Sequence, residues 1–168
     1  MEPFILLIEK AAKSTFYLRL LNIALWKKIP FNWPHRIRVS EILPDGFVLR
    51  MPYRRSNLNH IRGIHACGLA TLSEYVAGLT LLRKIGSTQY RIIMQQMHMQ
   101  YHYQARMDVI ARFELTEDWL KEHIIKPLET QDSTLIEMIV EVKDTDKNHV
   151  CTGTTTWQVK KWDKVRTK

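Results

Sequence analysis

The 168-residue sequence predicts an α+β fold: an antiparallel sheet wrapped around one long central helix, with an extra helix at the N-terminus. Three observations predict it. Residues 65–84 are rich in Ala and Leu, and Leu69, Leu72, Val76, Leu79 and Leu82 recur at the three- and four-residue spacing of a buried helix. Two strand-like segments precede this helix and four follow it. Between 97 and 104 the alternation is strict, with Met97, Met99, Tyr101 and Tyr103 on one face and Gln96, His98, Gln100, His102 and Gln104 on the other.

Taken in order, Pro3 suits a first helical turn and no further Pro or Gly occurs before Pro30, so 3–28 reads as one helix. Its apolar positions are loosely periodic, as for a helix docked on the domain's own surface. Glu9, Lys10, Lys13 and Arg19 interrupt it well before the length of a membrane span, and the Met-Glu-Pro start lacks the basic region of a signal peptide. The expected division is an N-terminal helical extension, 1–30, and a main domain, 31–168. Beyond the Pro30 to Pro34 loop, 36–41 and 46–53 alternate around Leu43-Pro44-Asp45-Gly46, a hairpin turn. A basic polar loop, 54–64, leads into helix 65–84, which ends at Ile85-Gly86 with Arg83 and Lys84 in its last turn. After strand 97–104, whose Met97 and Tyr101 face is expected in the core, 108–115 reads as a strand. Residues 117–130 read as a short helix or connection stopped by Pro127, and 135–143 with 150–161 as a last pair around a polar turn.

Composition excludes several classes. Hydrophobic residues make up 45% and charged residues 25%, so the chain is globular rather than disordered or fibrous. Cys67 and Cys151 form no C-x-x-C pair and no disulfide framework, which fits a reducing, cytoplasmic setting. The net charge of +8 is uneven: residues 1–104 hold 14 basic and 5 acidic side chains, and 105–168 hold 11 and 12. Such a field attracts phosphate-bearing small molecules, nucleic acid or an acidic membrane surface, and composition does not choose among them.

The densest cluster of reactive side chains is Asn57-Leu58-Asn59-His60-Ile61-Arg62-Gly63-Ile64-His65-Ala66-Cys67-Gly68, with Glu74 following on the helix. A loop feeding a helix start presents free backbone N–H groups, a setting for an anion or a developing oxyanion. Glu74 interrupts an otherwise apolar surface, a costly place for a carboxylate without a partner or a purpose.

The stretch NHIRGIHACGLATLSEYVAGLTLL resembles the loop and central helix of hotdog-fold thioesterases of the PaaI type. It is more similar still to the hotdog family found as the C-terminal domain of YiiD-type proteins. The likeness runs over 36–160. It implies a hotdog fold and hydrolysis of an acyl-CoA-type thioester, with coenzyme A as part of the substrate and no metal or redox cofactor. It also implies a homodimer or tetramer with sites at the interface. Asn59 then positions the thioester carbonyl or the attacking water, His65 helps hold the loop, the Ala66 N–H joins the oxyanion hole, and Glu74 is the general base or nucleophile. Arg54, Arg55, Arg62, Arg83, Lys84 and Arg91 are the cations available to the phosphates. His-Ala-Cys replaces the family's His-Gly-Gly, and the motif glycine is shifted to lie next to Arg62.

Simpler readings apply elsewhere. Cys67 reads as a small packed residue rather than a nucleophile. His98 and His102 stand four apart on a strand, which gives no shared metal face. The basic tail of Lys160, Lys161, Lys164, Arg166 and Lys168 reads as solvated. Two rival functions stay open: a non-catalytic module that binds acyl thioesters or lipids, and a less favoured nucleic-acid or membrane-surface binder using the basic half.

Overall fold

The computed structural model describes residues 2–165; Arg166 and Lys168 of the basic tail lie outside them. Two helices open the chain, α1 (Glu2–Ala11) and α2 (Thr15–Lys28), where one was expected. The break is local. Ser14 is extended at φ −149° and ψ 125°, and the Lys13 N–H turns back to the Lys10 carbonyl at 3.1 Å. Serine favours this conformation at a helix start, so 12–14 becomes a turn that folds the helices into a pair.

Strands β1 (Arg38–Ile42) and β2 (Gly46–Met51) form the expected hairpin, closed by the Leu43 N–H on the Gly46 carbonyl at 3.0 Å. The central helix α3 spans Ala66–Ile85. Strands β3 (Tyr90–Tyr101), β4 (Val109–Glu114), β5 (Ser133–Asp144) and β6 (His149–Lys161) complete one antiparallel sheet in the order β1-β2-β4-β5-β6-β3. Between β4 and β5 the chain stays helical through α4 (Glu117–Leu120), a π-turn at Lys121–Ile125 and α5 (Pro127–Thr130). Pro127 does not stop this segment: the Lys126 N–H reaches the Lys121 carbonyl five residues back, and Pro127 opens α5, where no N–H is needed.

The sheet wraps α3. Leu69, Leu72, Val76 and Leu79 are buried against it as expected, with Tyr75, Ala77 and Leu81. The alternation of β5 and β6 sends Ile136, Met138, Val140 and Val142, with Trp157 and Val159, onto the helix. Gly153 on β6 lets the helix approach closely, because a Cβ there would stand 2.8 Å from that of Ser73. Ile8, Ala11, Leu21 and Leu25 of the N-terminal helices join the same core. Leu82, expected in the stripe, is exposed.

Strand β3 departs most from expectation. It begins at Tyr90, not 97, because a bulge between Met94 and Gln96 shifts the alternation and hides its first half from a simple period-two reading. As the sheet's edge it covers little, so Met97 and Met99 are only half-buried and Tyr101 and Tyr103 are exposed rather than core. At the opposite edge, Asn22 of α2 pairs with β1, its Oδ1 accepting the Val39 N–H at 2.7 Å and its Nδ2 donating to the Val39 carbonyl at 3.0 Å. Among the described residues, no helix is long and apolar enough to cross a membrane.

Candidate active site

The loop between β2 and α3 is built on two asparagines with different tasks. Asn57 is buried and donates from Nδ2 to the carbonyls of His35 and Pro52, both at 2.9 Å, while its carbonyl takes the His65 N–H at 2.8 Å. Asn59 holds a tight turn: its Oδ1 accepts the N–H groups of Ile61 at 3.1 Å and Gly63 at 2.9 Å. That oxygen is committed to the turn. Its Nδ2 has no acceptor among the described residues. Arg62 sits at φ 60°, the left-handed region that favours glycine, one position before Gly63.

Tyr53 fastens the turn from outside, its hydroxyl donating to the Arg62 carbonyl at 2.6 Å and its N–H to Asp108 Oδ1 at 2.8 Å. Arg50 Nε closes on the other carboxylate oxygen at 2.7 Å. Burial alone would push the Asp108 carboxyl up, but the Tyr53 N–H and the Arg50 guanidinium hold it below the usual carboxylate range.

At the start of α3, His65 is the N-cap, its Nδ1 accepting the Cys67 N–H at 3.1 Å. Its carbonyl takes the N–H groups of Gly68 and Leu69. The Ala66 N–H is left without an acceptor among the described residues, an open donor at the positive end of a 20-residue helix. Cys67 is exposed, against expectation, because position N2 of α3 faces away from the sheet. Cys151 is buried, and burial pushes its thiol up to about 12.

Two concavities meet at Asn59. One is lined by Tyr53, Arg55, Leu58, Asn59, His60 and Arg62, and is basic. The other, of about 340 Å³, runs from Asn59 and Ala66 past Leu69 to Tyr101 and Tyr103. Glu74 lines neither. It stands eight residues beyond Ala66, about 12 Å along the helix axis. Its Oε1 lies 3.4 Å from where a Cβ on Gly78 would be, and the Trp157 ring lies 2.8 Å from that same point. The Glu74 carboxylate is half-buried, and among the described residues it has neither an ion pair nor a hydrogen bond. Burial raises its pKa above the ordinary carboxylate value. The indole N–H of Trp157 is also buried without an acceptor among these residues.

The other cations are dispersed. Arg54 is exposed at the mouth of the loop. Arg83 is removed from the group proposed for phosphates: its Nη1 donates to the Leu43 and Gly46 carbonyls at 2.8 and 3.0 Å, locking the β1–β2 hairpin to the far end of α3. Lys84 is likewise held between Asp45 and Glu117 at 2.7 and 2.8 Å. Arg91, at the start of β3, bonds Gln158 on β6 at 3.2 Å.

With this geometry in hand, the chain can be set beside known proteins. A family profile, described as a domain of unknown function, matches residues 18–159. The chain belongs to the DUF4442 family. Its fold is shared with solved structures. A Pseudomonas aeruginosa protein described as of unknown function and a probable thioesterase is 22% identical, with 85% of this chain and 95% of that one covered at a TM-score of 0.77. A Haemophilus influenzae thioesterase is 14% identical over 86% and 90% of the two chains at 0.65. A mutant thioesterase of Staphylococcus aureus is 13% identical over 78% and 98% at 0.61. These likenesses establish the hotdog fold for this DUF4442 domain. No curated protein matches the chain.

Several residues of this DUF4442 site were not legible as such in the sequence. Trp157 comes to Glu74 only through the β6 register, and Tyr101 and Tyr103 come to Ala66 only through the end of an edge strand. The inward alternation of β6 was the one signal that could have brought Trp157 forward.

Proposed function

We propose that this DUF4442 domain hydrolyses acyl-CoA-type thioesters. One observation carries the reading: a half-buried carboxylate, Glu74, held without a partner and with its pKa raised by burial. Such a group is poised to take a proton from water or to attack an acyl carbon, and structural carboxylates in this setting are normally paired. The chemistry needs three further parts. The Ala66 N–H, at the positive end of α3, receives the oxygen of the tetrahedral intermediate. Asn59 Nδ2 orients the thioester carbonyl or the water. Arg55 and Arg62, with Arg54 at the loop mouth, take the phosphates of the coenzyme.

A Glu side chain cannot span the distance along α3 from Glu74 to Ala66 of the same chain, so the reading has Glu74 serve a partner protomer's Asn59 and Ala66. Two protomers then make two sites, related by a two-fold axis. Hydrolysis follows with atoms balanced: water adds to the acyl carbon, its proton passes to Glu74, and the carbon–sulfur bond breaks. The thiolate leaves with that proton and the carboxylic acid is released.

The test is free-thiol release across acyl-CoA chain lengths. Glu74→Gln is expected to lower kcat by about 10² to 10⁴ with the melt unchanged. Cys67→Ala is expected to stay within a few-fold. Mixing Glu74→Gln with Asn59→Ala, each inactive alone, should restore roughly a quarter of wild-type turnover, because half of the dimers then hold one intact site. Ligand protection without turnover by the wild type would replace hydrolysis with a non-catalytic acyl-thioester-binding role.

A further inference from the structure

From Lys10 to Ser40 the chain carries seven Lys or Arg and no Asp or Glu. The same stretch leaves large apolar side chains in solvent. On α2, Phe16, Leu20 and Ile23 are exposed, Phe16 by 62%, while Leu21, Asn22 and Leu25 are buried on the other side. At 100° per residue, Phe16, Arg19, Leu20, Ile23 and Lys27 fall within an arc of about 100°. The outward face of α2 is thus an apolar stripe set between cations. Beyond its C-terminus, Phe31 is 66% exposed and Trp33 46% exposed, with the Arg36 guanidinium 3.9 Å above the Trp33 ring. Phe16, Leu20 and Ile23 are not needed for the packing of α2, which has its own buried face in Leu21, Asn22 and Leu25.

We propose that the outer face of α2, with Phe31 and Trp33, docks on the surface of an anionic lipid bilayer. Each feature fits that occupant. Cations beside an apolar stripe, with aromatic rings at its end, are the composition of helices that lie in the plane of a membrane interface. The absence of acidic side chains over the stretch complements the negative charge of the headgroups. A second copy of this chain fits less well, since pairing stripe to stripe would bring Arg19 and Lys27 against their own copies. An acidic protein would meet the cations but would not need the exposed phenylalanines. The face runs along the β1 edge of the sheet, opposite the β3 edge, and at its end Phe31 shares a concavity with His65 and Cys67 at the start of α3.

The test is flotation of the full chain with vesicles of phosphatidylcholine containing phosphatidylglycerol, against phosphatidylcholine alone. Binding is expected to the anionic vesicles and to weaken with added salt. Two variants separate the contributions: Phe16→Ser/Leu20→Ser/Ile23→Ser for the stripe and Arg19→Gln/Lys27→Gln for the charge. Each is expected to lower partitioning by about tenfold or more, with the melting temperature and thioester turnover in solution unchanged. No flotation of the wild type, or flotation unaffected by both variants, would overturn the proposal. So would a smaller assembly for the stripe variant by light scattering, which would make the stripe a contact between copies. Binding lost with the charges but indifferent to the stripe would assign the face to an acidic macromolecule instead.

Discussion

The imidazole of His65 takes the backbone N–H of Cys67 at 3.1 Å, and in doing so decides which donor at the start of α3 remains open. The Cys67 N–H is taken, and the Ala66 N–H, on a residue that lines the concavity beside Asn59, stays open. The same contact satisfies one of the orphan donors of the helix start, so it is at once a structural cap and a selector of the anion-facing group.

His65→Ala should therefore cost about 0.5–2 kcal/mol of stability, the usual range for a lost N-cap. His65→Asn, which offers a side-chain oxygen to the same N–H, should recover most of it. Urea unfolding of the three proteins checks this. An alanine variant as stable as wild type would mean that the imidazole contributes nothing at this helix end.

Glu74→Gln makes a second prediction that does not depend on turnover. Burial raises the Glu74 pKa, so the folded chain holds that proton more tightly than the unfolded chain does. The wild type then loses stability as pH rises from the ordinary carboxylate value through the raised one, because a bare charge must be kept in a half-buried place. Glutamine carries no charge. The variant should match the wild type at acid pH, become the more stable of the two across that window, and keep a constant lead above it. Unfolding curves at a series of pH values measure the gap, and a gap that does not change with pH would refute this account of the carboxylate.

What could be read from the sequence was whatever depends on periodicity and contiguity. Helix 65–84 matches α3 within a residue at each end, because one long apolar period has few alternatives, and the turn at Leu43 to Gly46 fixes the first hairpin by local chemistry alone. The loop from Asn57 to Cys67 is likewise contiguous, and its asparagines, glycine and histidine announce a turn entering a helix. What escaped depends on partners far away in the chain. A single serine at 14 outweighs the absence of Pro and Gly and splits the first helix. Arg83 and Lys84 look like free cations, but hairpin carbonyls and Asp45, some forty residues away, claim them. Tyr101 looks like core because its strand alternates, yet the strand is an edge, a property of sheet order that no local pattern carries.

Asn59 offers a substitution that separates holding the loop from handling substrate. Its Oδ1 accepts from Ile61 and Gly63, and Nδ2 is open. Asn59→Asp keeps an oxygen for both N–H groups, removes the open donor and places a negative charge in its stead. Its stability should stay within about 0.5 kcal/mol of wild type. If Nδ2 orients the thioester, turnover should fall by about 10², the typical cost of one lost donor in an acyl-transfer site. Asn59→Ala should lose both stability and turnover. A fully active aspartate variant would leave Asn59 a purely structural residue and remove it from the proposed site.

The last prediction concerns Asn22, a buried amide that closes a sheet edge. Strand β1 has β2 on one side only, so the Val39 N–H and carbonyl that face away from the sheet would otherwise be open to another chain. Asn22 answers both, with Oδ1 at 2.7 Å from the nitrogen and Nδ2 at 3.0 Å from the oxygen, and also donates to the Leu18 carbonyl within its own helix at 2.9 Å. One side chain from a helix thus acts as a neighbouring strand for a single residue. Asn22→Leu fills the space but leaves two backbone groups buried without partners, at a cost of about 1–3 kcal/mol for each. The loss should therefore be about 2–6 kcal/mol in urea unfolding, larger than for a typical polar-to-apolar change in a core. Because the lost contact also ties α2 to β1, the variant should expose the edge and scatter light increasingly with concentration, where the wild type does not. A leucine variant with wild-type stability would show that water reaches Val39 and that Asn22 does not seal this edge.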